Sequence, residues 1–325
     1  EFSSELNNLG VRVGNLEKNA SSIKFSGDAR FRYTSNYDGI LNSATTQDRT
    51  QTRIRIKGEA NPADNVSLVF RTSAQNKIAD NNVANDQFEF DLGYVTFKDV
   101  FGSTNLTLGR SYGFLGQGLL WDAPYYDGAR LSGGNKVKFD IGFGDNRYTP
   151  GPQTNNTLNS SADPRAIKTL NLSYNFSQDF NMTLAALYTT SQNPAGGDKE
   201  LIAIGAKGKI SPVFTMLAEY AENKAYDNNN KGFWTRLTYK GADKKVVGSY
   251  GAHIDYRKIE HHSTTDYGSL NLYYGSGDGL KGMGYGFQYT VAKNTVWSTE
   301  FETLKRTNDG EKLANYINTR LEWSF

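Results

Sequence analysis

The chain has 325 residues, with 36 basic and 34 acidic side chains and a formal net charge of +2, which gives no reason to expect nucleic acid as a partner. Only 37% of residues are hydrophobic, and no stretch approaches the roughly 18 apolar residues that a spanning helix needs, so helical membrane proteins are excluded. The lack of cysteine removes disulfide frameworks, thiolate metal sites and cysteine nucleophiles together, while 33 glycines, 20 tyrosines and 18 phenylalanines suit many strands with turns between them.

Residues 1–20 differ from the rest. Phe2, Leu6, Leu9, Val13 and Leu16 are spaced four, three, four, three, which is a heptad seam. The segment reads as the end of a coiled-coil stalk entering a symmetric oligomer, or as a short amphipathic helix that caps the rest of the chain; Gly10 weakens either helix. The chain starts at Glu1 without a methionine or a signal peptide, so it is expected to be a processed or trimmed piece of something longer.

From residue 21 to residue 325 the period is two. Ile23, Phe25, Ala29, Phe31 and Tyr33 oppose Lys24, Asp28, Arg30 and Arg32, and the same alternation recurs at Phe88 to Tyr94, Val137 to Phe143, Leu170 to Phe176 and Met182 to Tyr188. Tight turns are predicted at Asn61–Asp64, Asp99–Ser103, Gly133–Lys136, Ser177–Phe180, Lys209–Pro212, Gly241–Lys245 and Ala292–Asn294. Polar insertions fall between them, near residues 34–48, 74–86, 111–127, 145–166, 190–200, 222–231, 258–281 and 305–312. Leu270, Leu272 and Tyr274 also alternate, but counting them as strands would put the Ala292–Asn294 turn on the wrong side, so they stay in the seventh insertion. Seven turns and eight insertions give sixteen strands, an even number that returns both chain ends to one side. All seven prolines are assigned to turns or insertions, because strand interiors must donate every N–H. The last segment, Leu313 to Phe325, has a mostly apolar, aromatic-ended face opposite a charged one. A strand reads this way with lipid on one side and water on the other. The fold class expected is therefore all-β: a transmembrane antiparallel β-barrel of about sixteen strands in a bacterial outer membrane, in contact with lipid and lipopolysaccharide.

The third insertion is the most apolar. Phe114, Leu115, Leu119, Leu120 and Trp121 facing water would be costly, whereas a loop folded into the lumen packs them on the wall, with Gly113, Gly116 and Gly118 supplying the bends. That makes it a constriction loop; the alternative is a surface loop in a subunit contact.

The motif GRSYGFLGQGLLW (residues 109–121), the final Trp-Ser-Phe, YTVAKNT (residues 289–295) and the opening segment EFSSELNNLGVRVGNLEK together resemble the OmpM-type porins of diderm Firmicutes, over essentially the whole chain. The resemblance implies a trimeric general-diffusion porin passing small hydrophilic solutes. It also implies an amino-terminal SLH domain that binds peptidoglycan through the stalk. These residues contain no SLH sequence, so a tether is implied only for a longer parent protein.

Parity names the groups facing the pore. If Ile54 and Ile56 point to lipid, then Arg49, Gln51, Arg53, Arg55 and Lys57 share the lumen face, and Arg30, Arg32 and Arg71 continue that basic ladder. Glu89, Asp91, Asp122 and Asp127 are the nearest candidate acids, and Arg130 is a candidate wall residue. A basic wall opposite an acidic loop would set a transverse field; the alternative is that these groups solvate or brace a wide lumen. Arg110 has the wrong parity for the lumen, so either a bulge precedes the loop or the strand has already ended. The only histidines, His253, His261 and His262, give no nucleophile–base pair or metal cluster, so neither catalysis nor a metal or other cofactor is expected. Two other readings stay open: a substrate-selective channel, with Trp121, Tyr125 and Tyr126 as a sugar slide, and a non-channel barrel serving as an adhesin or structural anchor.

Overall fold

The structure, a computed structural model, describes residues 23–39, 49–79, 82–146, 165–190, 199–265 and 279–325. Sixteen strands run through them. The first eight are β1 (Ile23–Tyr37), β2 (Arg49–Ala63), β3 (Val66–Ala79), β4 (Asn82–Phe97), β5 (Asn105–Leu115), β6 (Trp121–Gly133), β7 (Val137–Asn146) and β8 (Arg165–Ser177). The second eight are β9 (Phe180–Thr190), β10 (Lys199–Lys209), β11 (Phe214–Asn223), β12 (Lys231–Lys240), β13 (Tyr250–Ile259), β14 (Leu280–Ala292), β15 (Thr295–Arg306) and β16 (Asn315–Ser324). Each pairs antiparallel with its sequence neighbours, and β1 closes on β16 from Asp28 opposite Ser324 to Tyr37 opposite Asn315.

Closure decides what faces where. Phe25, Ile54, Phe143, Leu184 and Ile204 lie 44–63% exposed on the outside, while alternate positions such as Gln51, Ser73, Thr183, Glu219 and Asp255 are buried within. A soluble sandwich would bury the first set; a barrel in lipid exposes it. Six of the seven turns lie where expected, and the first is displaced to residues 64 and 65 because β2 runs on to Ala63; Gly134 (φ 93°) and Asn294 (φ 61°) close two of them with residue types that accept positive φ.

Three further expectations change. Residues 74–86 are not an insertion: β3 and β4 run on to Ala79 and from Asn82, leaving residues 80 and 81 between them. Likewise most of residues 111–127 is strand, with only residues 116–120 between β5 and β6. Pro62 and Pro124 stand inside strands, each where the ladder shifts register, which spares a proline the N–H it lacks. The stalk seam (Phe2, Leu6, Leu9, Val13, Leu16), Leu270, Leu272, Tyr274, Pro150, Pro152, Pro164 and Pro194 lie outside the described residues.

Candidate functional site: the lumen and its inward hairpin

One arc of inner wall is basic. β2 presents Gln51, Arg53 and Arg55 inward, opposite Arg32, Arg30 and Asp28 of β1, and β16 adds Arg320 opposite Arg32. Arg49 begins the same face; its side chain is not among those described. The arginines are not bare. Asp28 accepts from Arg53 at 3.0 Å and from Arg55 at 2.9 Å, and Arg30 donates to Gln51 at 2.8 Å. Arg71 of β3 pairs with Asp91 of β4 at 2.7 Å, and Arg130 of β6 with Asp140 of β7 at 2.6 Å. Glu89 stands opposite Ser73 on the same inner face. Acids thus sit within the basic wall as well as across from it. Asp28 and Asp140 are partners that the sequence reading missed, since register across the ladder decides them.

The β5–β6 hairpin leaves the wall and crosses inward. β4 pairs with β5 only up to Gly93 opposite Arg110. Beyond that point the tip docks on the inner faces of β8 to β11. Glu219 of β11, 1% exposed, accepts the backbone N–H of Gln117 and of Leu119, each at 2.8 Å. The Gly116 N–H donates to Asn171 at 3.0 Å, and the Gln117 amide reaches Asn181 and Thr183. Gly116 (φ 67°) is required: a Cβ there would collide with the Glu219 carboxylate. Leu115, Leu119, Leu120 and Trp121 are buried, at most 4% exposed. Phe114 is not: it lies 42% exposed with Tyr112, on the side of the hairpin away from that packing. Tyr112 bonds to Asp122, and the charges of Arg71 and Arg55 reach its hydroxyl, so this side of the hairpin confronts the basic arc.

Residues 260–265, after β13, hold the tip from the loop end. Ser263, Thr264 and Thr265 are buried, and the Thr265 hydroxyl donates to the Leu120 carbonyl. Lys199 donates to the Thr264 carbonyl at 2.8 Å, and His262 stacks on Tyr226 with centroids 3.8 Å apart. Burial, then the charges of His261 and Lys199, hold the His262 imidazole below its ordinary pKa.

A second charged cluster lies on β12 to β15. Arg257, 2% exposed, donates to Asp255 at 2.6 Å and to Glu302 at 2.8 Å, and Arg236 donates to Asp255 at 3.1 Å. These side chains lie across Gly284 and Gly286, where a Cβ would strike Arg257, Asp255 and the His253 ring. Arg236 also sits over the Trp234 ring at 5.0 Å. With Gln117 and Asp122 from the hairpin, the cluster lines a cavity of about 440 Å³.

Arg110 and Asp127 belong elsewhere. β5 continues through Arg110 to Leu115, so the strand has not ended there; a register shift does precede the loop tip, but it falls after Arg110, between Ser111 and Gly113, and leaves the parity of Arg110 unchanged. Both residues share the outward parity of Leu106, Leu108, Ala129 and Leu131, and they pair with each other at 2.7 Å. Asp127 is therefore not a lumen acid.

Solved structures resemble this arrangement at low sequence identity. OprB of Pseudomonas putida aligns with a TM-score of 0.66 and 12% identity over 97% of this chain and 96% of that one. The fold is that of bacterial porins. OmpF of Salmonella typhi in complex with daunomycin gives 0.62 and 17% over 93% and 97%, and a double mutant of Rh. blastica porin gives 0.56 and 14% over 93% and 100%. Neither the models of known protein families nor the curated proteins give a match.

Proposed function

We propose that the chain is a general-diffusion porin of a bacterial outer membrane, assembled as a homotrimer, that passes small hydrophilic solutes and ions. The observation that carries this reading is a closed ring, apolar outside and charged within, whose lumen is crossed by a hairpin pinned to the far wall through Glu219. The gap runs between Tyr112, Phe114 and Asp122 on the hairpin and Arg30, Arg32, Arg53, Arg55 and Arg71 on the wall. Its field is weaker than a bare arginine ladder would give, because Asp28 and Asp91 offset part of the charge. Solutes are sorted by size and charge rather than bound. Tethering to peptidoglycan belongs to a longer parent protein carrying an SLH domain and rests on the family resemblance alone.

The cavity beside Trp234 and Arg236 favours a second reading, a solute-selective channel. Planar-bilayer recording separates the readings. Ohmic steps in groups of three support the porin, block by one solute at micromolar concentration supports the selective channel, and a bilayer that stays closed overturns both in favour of an anchor.

A further inference from the structure

Cross-strand register sets like charges side by side at the loop end of the outer wall. Lys258 of β13 stands opposite Lys281 of β14, Lys281 opposite Lys305 of β15, and Lys305 opposite Lys312. The row faces outward, because Lys258, Lys281 and Lys305 share the parity of Tyr256, Tyr285 and Phe301, while Arg257, Gly284 and Glu302 take inward positions. Residues opposite one another in a ladder carry their Cβ atoms about 5 Å apart, and like charges at that spacing destabilise the pair.

A single lysine at the end of a lipid-facing strand needs no ligand, since its stem covers apolar surface and its ammonium reaches water. Lys168 is of that kind, flanked across the ladder by Phe143 and Tyr188. The row differs because its ends are neutralised and its middle is not. Lys258 pairs with Glu260 at 2.8 Å and Lys312 with Asp38 at 2.6 Å, whereas no carboxylate among the described residues lies within ion-pair distance of Lys281 or Lys305. Below the row the wall turns apolar. Tyr256 and Met283 come next toward the turns, then Ile254, Tyr285 and Phe301, the last two with ring centroids 6.2 Å apart.

We infer that the outer wall of β13 to β15 holds the phosphorylated headgroup of an outer-leaflet glycolipid, with Lys281 and Lys305 on the phosphate and the acyl chains against Tyr285 and Phe301. A phosphate monoester carries about 1.5 to 2 negative charges at neutral pH and three acceptor oxygens. One such group therefore serves both ammoniums and turns a repelling pair into two charge-assisted bonds. Aromatic rings beneath the headgroup level complete a site for an amphiphile. This rests on the outer-membrane reading above, which turns the loop ends toward the outer leaflet, and adds the lipid that the wall selects.

The test incubates the full chain, folded in neutral detergent, with lipid A and measures bound lipid by native mass spectrometry, using lipid A stripped of its phosphates and inorganic phosphate as comparisons. Phosphorylated lipid A is expected to bind at least about tenfold more tightly than the stripped lipid. Lys281→Ser with Lys305→Ser is expected to erase that difference, while Lys168→Ser keeps it. Equal binding of the two lipids by the parent chain, an undiminished preference in the double variant, or an equal loss in Lys168→Ser overturns the site. Displacement of the lipid by millimolar inorganic phosphate marks a free-anion site and overturns the lipid assignment. A parent chain that conducts in planar bilayers yet shows no preference contradicts the lipid site alone; one that enters no membrane contradicts the outer-membrane reading. Heat-dependent gel mobility reports folding, and should the double variant not fold, Lys281→Ser decides.

Discussion

Asp28 shows how one residue sets the charge of the basic arc. It accepts from Arg53 and Arg55 together, so Asp28→Asn takes the paired carboxylate from Arg55 and leaves Arg53 with Glu322 at 3.8 Å. Anion preference is expected to rise, on the order of two-fold in the permeability ratio, and Arg53→Gln with Arg55→Gln is expected to lower it; reversal potentials across a KCl gradient read both. If neither change moves the reversal potential, this arc does not line the narrow part of the pore. At the loop end, His262 carries a pH dependence. Its folded pKa lies below its unfolded value, so the folded state binds fewer protons than the unfolded one as pH falls through about 6.5. The stabilisation from burying His262 neutral, beside His261 and Lys199, is therefore full above that pH and is lost as the solution is acidified towards the folded pKa. Proteolysis around residues 260–265 is expected to speed up between neutral pH and about pH 5, and His262→Phe, which can stack but cannot titrate, should abolish the change. An unaltered acid response in that variant would place the sensitivity elsewhere.

The inward hairpin is an element held by a few strong bonds rather than by a strand partner. Glu219→Ala removes the acceptor of two buried amides, with charge-assisted bonds of about 1.5–3 kcal/mol each. A loss of about 3 kcal/mol in docking raises the opened fraction roughly a hundred-fold, which should appear as faster amide exchange at Gln117 and Leu119 and as noisier conductance. Exchange as slow as in the parent chain would mean that the apolar packing of Leu119, Leu120 and Trp121 holds the tip unaided. Sequence patterning located this element because five large apolar residues in a polar chain have few places to go, yet it placed Phe114 wrongly, since the bend after Ser111 turns that side chain away from the packing. Six of the seven turns were legible because Asn, Asp, Gly and Pro each signal backbone that a strand cannot hold. The loop-end halves of β3 and β4 were not, because the run of polar residues in that part of the sequence breaks the apolar alternation. The cluster around Arg257 was missed although it left a trace: Gly282, Gly284 and Gly286 repeat at period two, which in a strand marks a face that another side chain lies across.

For the whole molecule, stability hangs on the seam where the first and last strands meet. A barrel has no edge only while β1 and β16 stay bonded, and losing that pair exposes two sheet edges at once to lipid. The seam is tied past the end of β16: Gly27 and Phe325 exchange both backbone bonds, at 2.9 and 3.0 Å, and Ser324 donates to Asn294 at 2.9 Å. Gly27 has to be small, since a Cβ there would strike both the Phe325 ring and the Arg55 carbonyl oxygen. The ring can swing away, but the carbonyl belongs to the β1–β2 ladder and cannot. Gly27→Leu is therefore expected to lower the unfolding temperature by several degrees, or to prevent closure, as a cost of at least 1–3 kcal/mol from overpacking at one point of a cooperative ring. Adding Phe325→Ala to that variant should recover only part of the loss, because the clash with Arg55 remains. Loss of the compact, heat-sensitive band on a gel measures closure directly. A Gly27→Leu barrel as heat-resistant as the parent would show that the seam yields locally, and that closure is secured by the rest of the β1–β16 ladder.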